Sequence, residues 1–373
     1  MLHIGAMKTG TTFLQQLLAD HRDVLGEHGF QVPRKQGVAL RRILAGAHGR
    51  GGSGRQAPVS RRLLQAVQEY DGRASLVSWE FLSFLDPPTA GRLLDDLGVD
   101  VEVVLSVRDA ARTMPAQWQT RCRNGTTIRW PRFAASVGAW LADGRSSPAA
   151  RVFERTQGIP RMLEVWTGAV GAERLRVVTV PQSGADPLIL WRRFAEAAGV
   201  DPSVPVTPAV RHNPSLGYPS CELLRRINEA LGPKVPNHCG RVIRAVVAPD
   251  LETRAGTEAR VRLDGPGLAV ASAWNSRTVE AIRAAGVRVV GDLDQDLPRQ
   301  APADGSSVRR PTDEELLDAA ATARAGLVGL GAATGSPRAA GVDAAVAELA
   351  EMIRETAGLD LTAAREARGR GRG

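Results

Sequence analysis

Lysine is scarce in this chain of 373 residues. Only Lys8, Lys35 and Lys234 occur, so 45 of the 48 basic residues are arginine. Cysteine is scarce as well. Cys122, Cys221 and Cys239 show no CxxC spacing, which excludes a disulfide scaffold and a structural zinc site. No run approaches the roughly 20 apolar residues of a membrane-spanning helix, so an integral membrane protein is excluded. The start, Met1-Leu2-His3-Ile4-Gly5, has no basic segment followed by a long apolar stretch, and a signal peptide is not expected. A protein of the reduced cytoplasm is expected.

What is present is ordinary for a globular chain. Hydrophobic residues make up 43% and charged residues 24%, enough for a real core and too apolar for a disordered chain. The net charge is +8, but acids and arginines mix along the chain. Nucleic-acid binders concentrate charge on one face or arm, so no nucleic-acid partner is expected. The arginine bias reads as codon composition. Against that background a lysine in a glycine loop stands out.

The apolar segments Leu2–Ala6, Ser75–Ser78, Val101–Val107 and Arg176–Val180 are short and rich in Val, Leu and Ile. Helical patterns lie between them: Thr12–Leu25, Arg61–Gln68, Ala90–Leu97 and Leu188–Ala198. Strands alternating with helices predict an α/β fold, a parallel sheet flanked by helices. A later strand, Gly286–Val290, follows a helix at Ser276–Ala285 and rejoins this sheet or a subdomain. Gly46–Ser60 and Asp201–Pro219 read as loops. Residues 1–298 read as one domain and 299–311 as a linker. Residues 312–373 read as a helical appendage, with a capping box at Thr312–Glu315, a stop at Gly326, a second helix at Asp343–Thr356 and a disordered end.

The most informative stretch is Leu2-His-Ile-Gly-Ala-Met-Lys-Thr-Gly-Thr-Thr-Phe-Leu14. It reads as strand, short Gly/Lys/Thr loop, then helix. Inward-pointing backbone N–H groups and the positive end of the helix make a phosphate cradle. Lys8 supplies a mobile cation, Gly10 lets the backbone approach the anion, and Thr9, Thr11 and Thr12 add donors. The loop is not the nucleotide-triphosphatase pattern, in which lysine follows the second glycine. A tight turn with a capping threonine is the plainer alternative.

This Lys-Thr-Gly-Thr-Thr loop resembles the phosphosulfate loop of sulfotransferases. Met7 stands where that family usually has proline. The resemblance implies a P-loop-like α/β fold and 3′-phosphoadenosine 5′-phosphosulfate as donor, with Lys8 on its 5′-phosphosulfate and no metal required. The segment Val101–Ala110 resembles the family's second signature, a strand ending in Arg-Asp, which implies Arg108 on the donor's 3′-phosphate. Open parallel sheets bind ligands at that edge, and a guanidinium suits a phosphate. For Arg108-Asp109 alone, a local ion pair and helix cap is the plainer reading. The family's serine eight residues later is Ala116 here, leaving Ser106, Arg112 and Gln117 as alternative donors. The stretch Arg112–Gln119 resembles a Pro-Ala-x-Trp-Gln variant of bacterial members. Arg211–Gly217 resembles their Asn-x-Ser-Leu-Gly segment and adds Arg211 and Asn213 as donor-binding candidates. Val289–Asp294 resembles their closing strand and turn, so the resemblance spans about residues 1–298.

Transfer of a sulfonyl group needs a base near the sheet edge. Glu80, just after the strand Ser75–Ser78, is the first candidate, against a plain first-turn glutamate. His48 is the second; His3, His21 and His28 read as packing or surface residues. Trp79 is placed to line an acceptor pocket. The acceptor is a hydroxyl or amine of a small molecule, glycan or lipid. No His/Cys/Asp/Glu spacing suits a metal. Two other readings stay open: an ATP-dependent small-molecule kinase with Asp292 as its magnesium-holding acid, and a non-catalytic binding protein that keeps the fold.

Overall fold

The computed structural model describes residues 1–47, 57–186, 188–207, 215–233, 235–300, 309–332 and 341–356. His48, Arg211, Asn213 and the expected disordered end lie outside these residues. The chain divides into two compact units. One comprises residues 1–113, 150–211 and 269–301; the other comprises 114–149, 212–268 and 302–373. One boundary, between 301 and 302, falls within the expected 299–311 linker, and the other four lie within residues 1–298.

The first unit is α/β. Its strands are β1 (Leu2–His3), β2 (Phe30–Gln31), β3 (Ala74–Ser75), β4 (Val77–Ser78), β5 (Val103–Val107), β6 (Leu175–Thr179) and β7 (Arg288–Val290). Five of them form a parallel sheet in the order β4-β1-β5-β6-β7, and β2 pairs with β3 in a separate parallel ribbon. The late strand thus joins the main sheet, at its edge. β5 is buried at every residue, as a central parallel strand covered on both faces must be.

Alternation along the strands sorts the core into two layers. Val103, Leu105 and Val107 face one cluster with Leu82, Leu93, Met162 and Trp166. Val104 and Val178 face another with Leu14, Leu18, Trp191 and Phe194. Successive strand side chains point to opposite faces, so one five-residue run serves both layers.

Between β1 and β5 stand the helices Thr11–Asp20, Arg22–Glu27, Gln36–Ala47, Pro58–Gln68 and Pro87–Leu97. The single helix expected over Thr12–Leu25 is interrupted at His21, whose ring Nδ1 lies 3.0 Å from the Leu17 carbonyl. Both flanks of the expected Gly46–Ser60 loop are helical. Proline is favoured in a first helical turn, so Pro58 opens a helix where the sequence suggests a loop.

The second unit is helical among the described residues. Tyr218–Leu231 packs against Asp313–Val328 and Val342–Glu355. Thr312 and Glu315 form the expected capping box, but the helix runs through Gly326 to Val328. Leu327 is fully buried. Burying a leucine gives about 1.5–3 kcal/mol, which outweighs the roughly 1 kcal/mol that a mid-helix glycine costs.

Candidate functional site

The order of the strands positions the site. From β1 the chain reaches β4 on one side, then β5 on the other. The loop after β1 is therefore flanked by the exits of two neighbouring strands, at a switch point of the kind where open α/β sheets bind ligands.

That loop is anchored along its length. The Ala6 N–H donates to the Ser106 carbonyl at 3.0 Å. The Met7 N–H donates to the Thr156 carbonyl at 3.4 Å, and the Met7 carbonyl accepts from Gln157 Nε2 at 2.6 Å. A proline at position 7 could not make the first of these bonds. Hydrogen bonds here replace the stiffness a proline ring would give. Lys8 takes a left-handed backbone, φ 66°, which costs a non-glycine residue about 1–2 kcal/mol. Its carbonyl accepts from Arg108 Nη1 at 2.8 Å, and this bond holds the turn. Thr9 is fully buried and its hydroxyl donates to the Ala6 carbonyl at 2.6 Å, so its side-chain hydrogen is already committed.

Gly10 follows at φ 83°, and a Cβ there would lie 2.5 Å from Leu190 Cδ2. A side chain there would be strained by the backbone and would have to displace the end of Leu190. Helix Thr11–Asp20 starts at once, with no side chain capping it. Its first N–H groups have no intrahelical partners, as in any helix, and carry partial positive charge. Thr11 is buried and Thr12 exposed.

Arg108 leaves the end of β5. Burial and the nearby Arg112 charge push its pKa down to about 10, against the pull of Asp109. Burial likewise lowers Arg112, whose Nη1 donates to the Pro181 carbonyl at 2.6 Å. The Nε of each guanidinium is buried without a partner among the described residues, and so is the Thr113 hydroxyl. Asp109 does act as a helix cap: its Oδ1 accepts from the Ala111 N–H at 2.9 Å and from Asn275 Nδ2 at 2.8 Å. Two desolvated cations side by side with unpaired donors are the electrostatic inverse of a phosphate.

Glu80 leaves β4 at the start of the short turn Glu80–Phe84. Its Oε2 accepts from Gln15 Nε2 at 2.9 Å. Trp79 is half-buried, with its ring 5.3 Å from that of Phe81. Trp118 and Trp166, by contrast, are fully buried core residues.

Ser106 is not at the loop's surface. It is fully buried, and its hydroxyl lies 2.8 Å from His3 Nε2; His3 Nδ1 lies 2.8 Å from the Ser78 hydroxyl. One imidazole thus bridges β4 and β5 through β1. Gln117 belongs to the second unit, where it is buried with Oε1 unpaired among the described residues. Asp292 caps the helix Leu293–Asp296, accepting from the N–H groups of Asp294 and Gln295. No cluster of His, Cys, Asp or Glu fit to hold a metal occurs among the described residues, and none of their helices is long and apolar enough to cross a membrane.

Burial pushes the pKa of His3 down to about 3. The unfolded chain, with histidine near 6.5, binds one proton more than the native state between those values, so stability falls as pH drops from 6.5 toward 3. The slope from this one group is up to about 1.4 kcal/mol per pH unit. Melting temperature is expected to fall steeply below pH 6.5, and less steeply in His3→Gln. Parallel pH profiles for the two proteins would remove His3 as the cause.

Gln15, Gln157, Leu190 and Thr113 stand beside the candidate residues and are not singled out by the sequence. Gln15 carries a faint signal, lying one helical turn beyond Thr11. The others come from distant segments or carry no motif.

No protein-family model and no curated protein matches this chain. Its structure is similar to the crystal structure of a sulfotransferase from Alicyclobacillus acidocaldarius, at 18% identity and a TM-score of 0.39, covering 57% of this chain and 85% of that one.

Proposed function

We propose that the protein is a sulfotransferase that uses 3′-phosphoadenosine 5′-phosphosulfate and passes its sulfonyl group to a hydroxyl or amine. The observation that carries this reading is the pair Arg108 and Arg112, with buried unpaired Nε donors, beside an anion loop that Arg108 itself holds. A donor with phosphate groups at two places needs cations at both, and Lys8 after β1 and Arg108 after β5 are the candidates that support the reading.

In this reading Lys8 and the amides of Thr9 to Thr12 hold the phosphosulfate end. Arg108 and Arg112 hold the 3′-phosphate. The donor supplies an activated sulfonyl group and a good leaving group. Lys8 and the loop amides then meet the charge that grows on the departing phosphate, a preorganised arrangement of the most effective kind. Glu80 takes the proton of the attacking hydroxyl or amine. The acceptor is a small molecule, glycan or lipid, and no metal enters the scheme. A magnesium-dependent kinase has less support, because the acid proposed for it, Asp292, is spent as a helix cap.

Adenosine 3′,5′-bisphosphate is expected to raise the melting temperature by a few degrees, since ligand at 100-fold its Kd stabilises by about 2.7 kcal/mol. ATP with magnesium is expected to do much less. Stabilisation by ATP and none by the bisphosphate would sink this reading. Binding of the bisphosphate with no sulfonyl transfer to any acceptor, water included, would instead leave a binding protein.

A further inference from the structure

One contact joins the anion loop to the candidate base. Gln15 stands four residues beyond Thr11, one turn up the same face of the helix that begins at the loop. Its Nε2 donates to Glu80 Oε2 at 2.9 Å and also approaches the Ser78 carbonyl at 3.4 Å. Ser78 is itself fixed, its N–H donating to Gln36 Oε1 at 2.8 Å and its hydroxyl held by His3. The Ser83 hydroxyl donates to the Glu80 carbonyl at 2.6 Å, so the backbone at Glu80 is also pinned. Among the described residues, Glu80 Oε1 takes no hydrogen bond.

We propose that Gln15 is a positioning residue, which aims the Glu80 carboxylate so that Oε2 is held and Oε1 stays available for the acceptor's proton. The inference rests on Glu80 being the base. The chemical type of the residue matters. An arginine here would add a full positive charge beside the carboxylate, an ion pair that would lower its affinity for a proton. A neutral amide orients the group without cancelling its charge. The amide also stands on the helix whose first turn meets the donor, so donor site and base share one rigid element. Misplacing a reacting group by about 1 Å can cost up to about 100-fold in rate.

The test is a double-mutant cycle on donor hydrolysis, with water as acceptor, read as sulfate released from 3′-phosphoadenosine 5′-phosphosulfate. Gln15→Met keeps length and loses the donor. It is expected to lower kcat about tenfold, with the KM for the donor and the Kd for adenosine 3′,5′-bisphosphate within twofold. In the Glu80→Gln background the same change is expected to have no further effect, because Gln15 acts only through Glu80. Gln15→Asn, whose amide is one methylene short, is expected to match Gln15→Met and serves if that variant folds poorly. An unchanged kcat in Gln15→Met, or a full tenfold loss that persists in Glu80→Gln, overturns the inference. A normal rate in Glu80→Gln alone instead refutes the base on which it rests, so the two failures are distinguishable.

Discussion

Replacing Glu80 by glutamine is expected to cut turnover by about 10²–10⁴ while leaving bisphosphate affinity within a few-fold, the usual worth of a general base. The substitution preserves size and hydrogen-bonding shape, so the neighbouring Gln15 amide still finds an oxygen to meet. Only the capacity to take a proton is lost. A glutamate that served structure alone would shift the melting temperature or change nothing; it would not remove turnover selectively. The measurement is kcat beside bisphosphate Kd for the two proteins. Near-normal turnover moves suspicion to His48.

Arg108→Ala is expected to act on binding instead, lowering bisphosphate affinity about 30-fold or more. Truncating one partner of a buried charged contact typically costs 2–5 kcal/mol, and each 1.4 kcal/mol is tenfold. The same guanidinium also holds the Lys8 carbonyl at 2.8 Å. Its loss therefore releases a residue with a left-handed backbone, and the loop loses its preset form. Lys8→Ala separates these two effects. It removes the lysine charge but leaves the backbone carbonyl for Arg108, and it is expected to weaken donor binding and slow transfer together. Isothermal titration of both variants with adenosine 3′,5′-bisphosphate gives the comparison. Wild-type affinity in Arg108→Ala would remove the 3′-phosphate assignment.

The parallel sheet is legible in the sequence because its strands are short, β-branched and separated by amphipathic stretches. The loop is legible because glycine, lysine and threonine cluster between a strand and a helix. What supports the loop is not. Gln157 is 150 residues from the Met7 carbonyl it holds, and no local pattern announces that bond. Ser106 shows the opposite error. It is offered in place of the serine absent at Ala116, but it is fully buried, with its hydroxyl 2.8 Å from His3 Nε2. The continuation of a helix past Gly326 depends on what it buries at Leu327, which periodicity alone does not show.

The interleaving of the two units has a consequence for synthesis. Some 285 residues separate β1 from β7, and the main sheet lacks that last strand until Val290 is complete. At about 5–20 residues per second, that interval is on the order of 15–60 s. The second unit waits longer still, because Val342–Glu355 packs on helices encoded more than 100 residues earlier. Neither unit can be finished by the ribosome as a contiguous block. Until β7 is made the nascent chain carries an incomplete parallel sheet, an exposed strand edge that holdase chaperones are suited to cover.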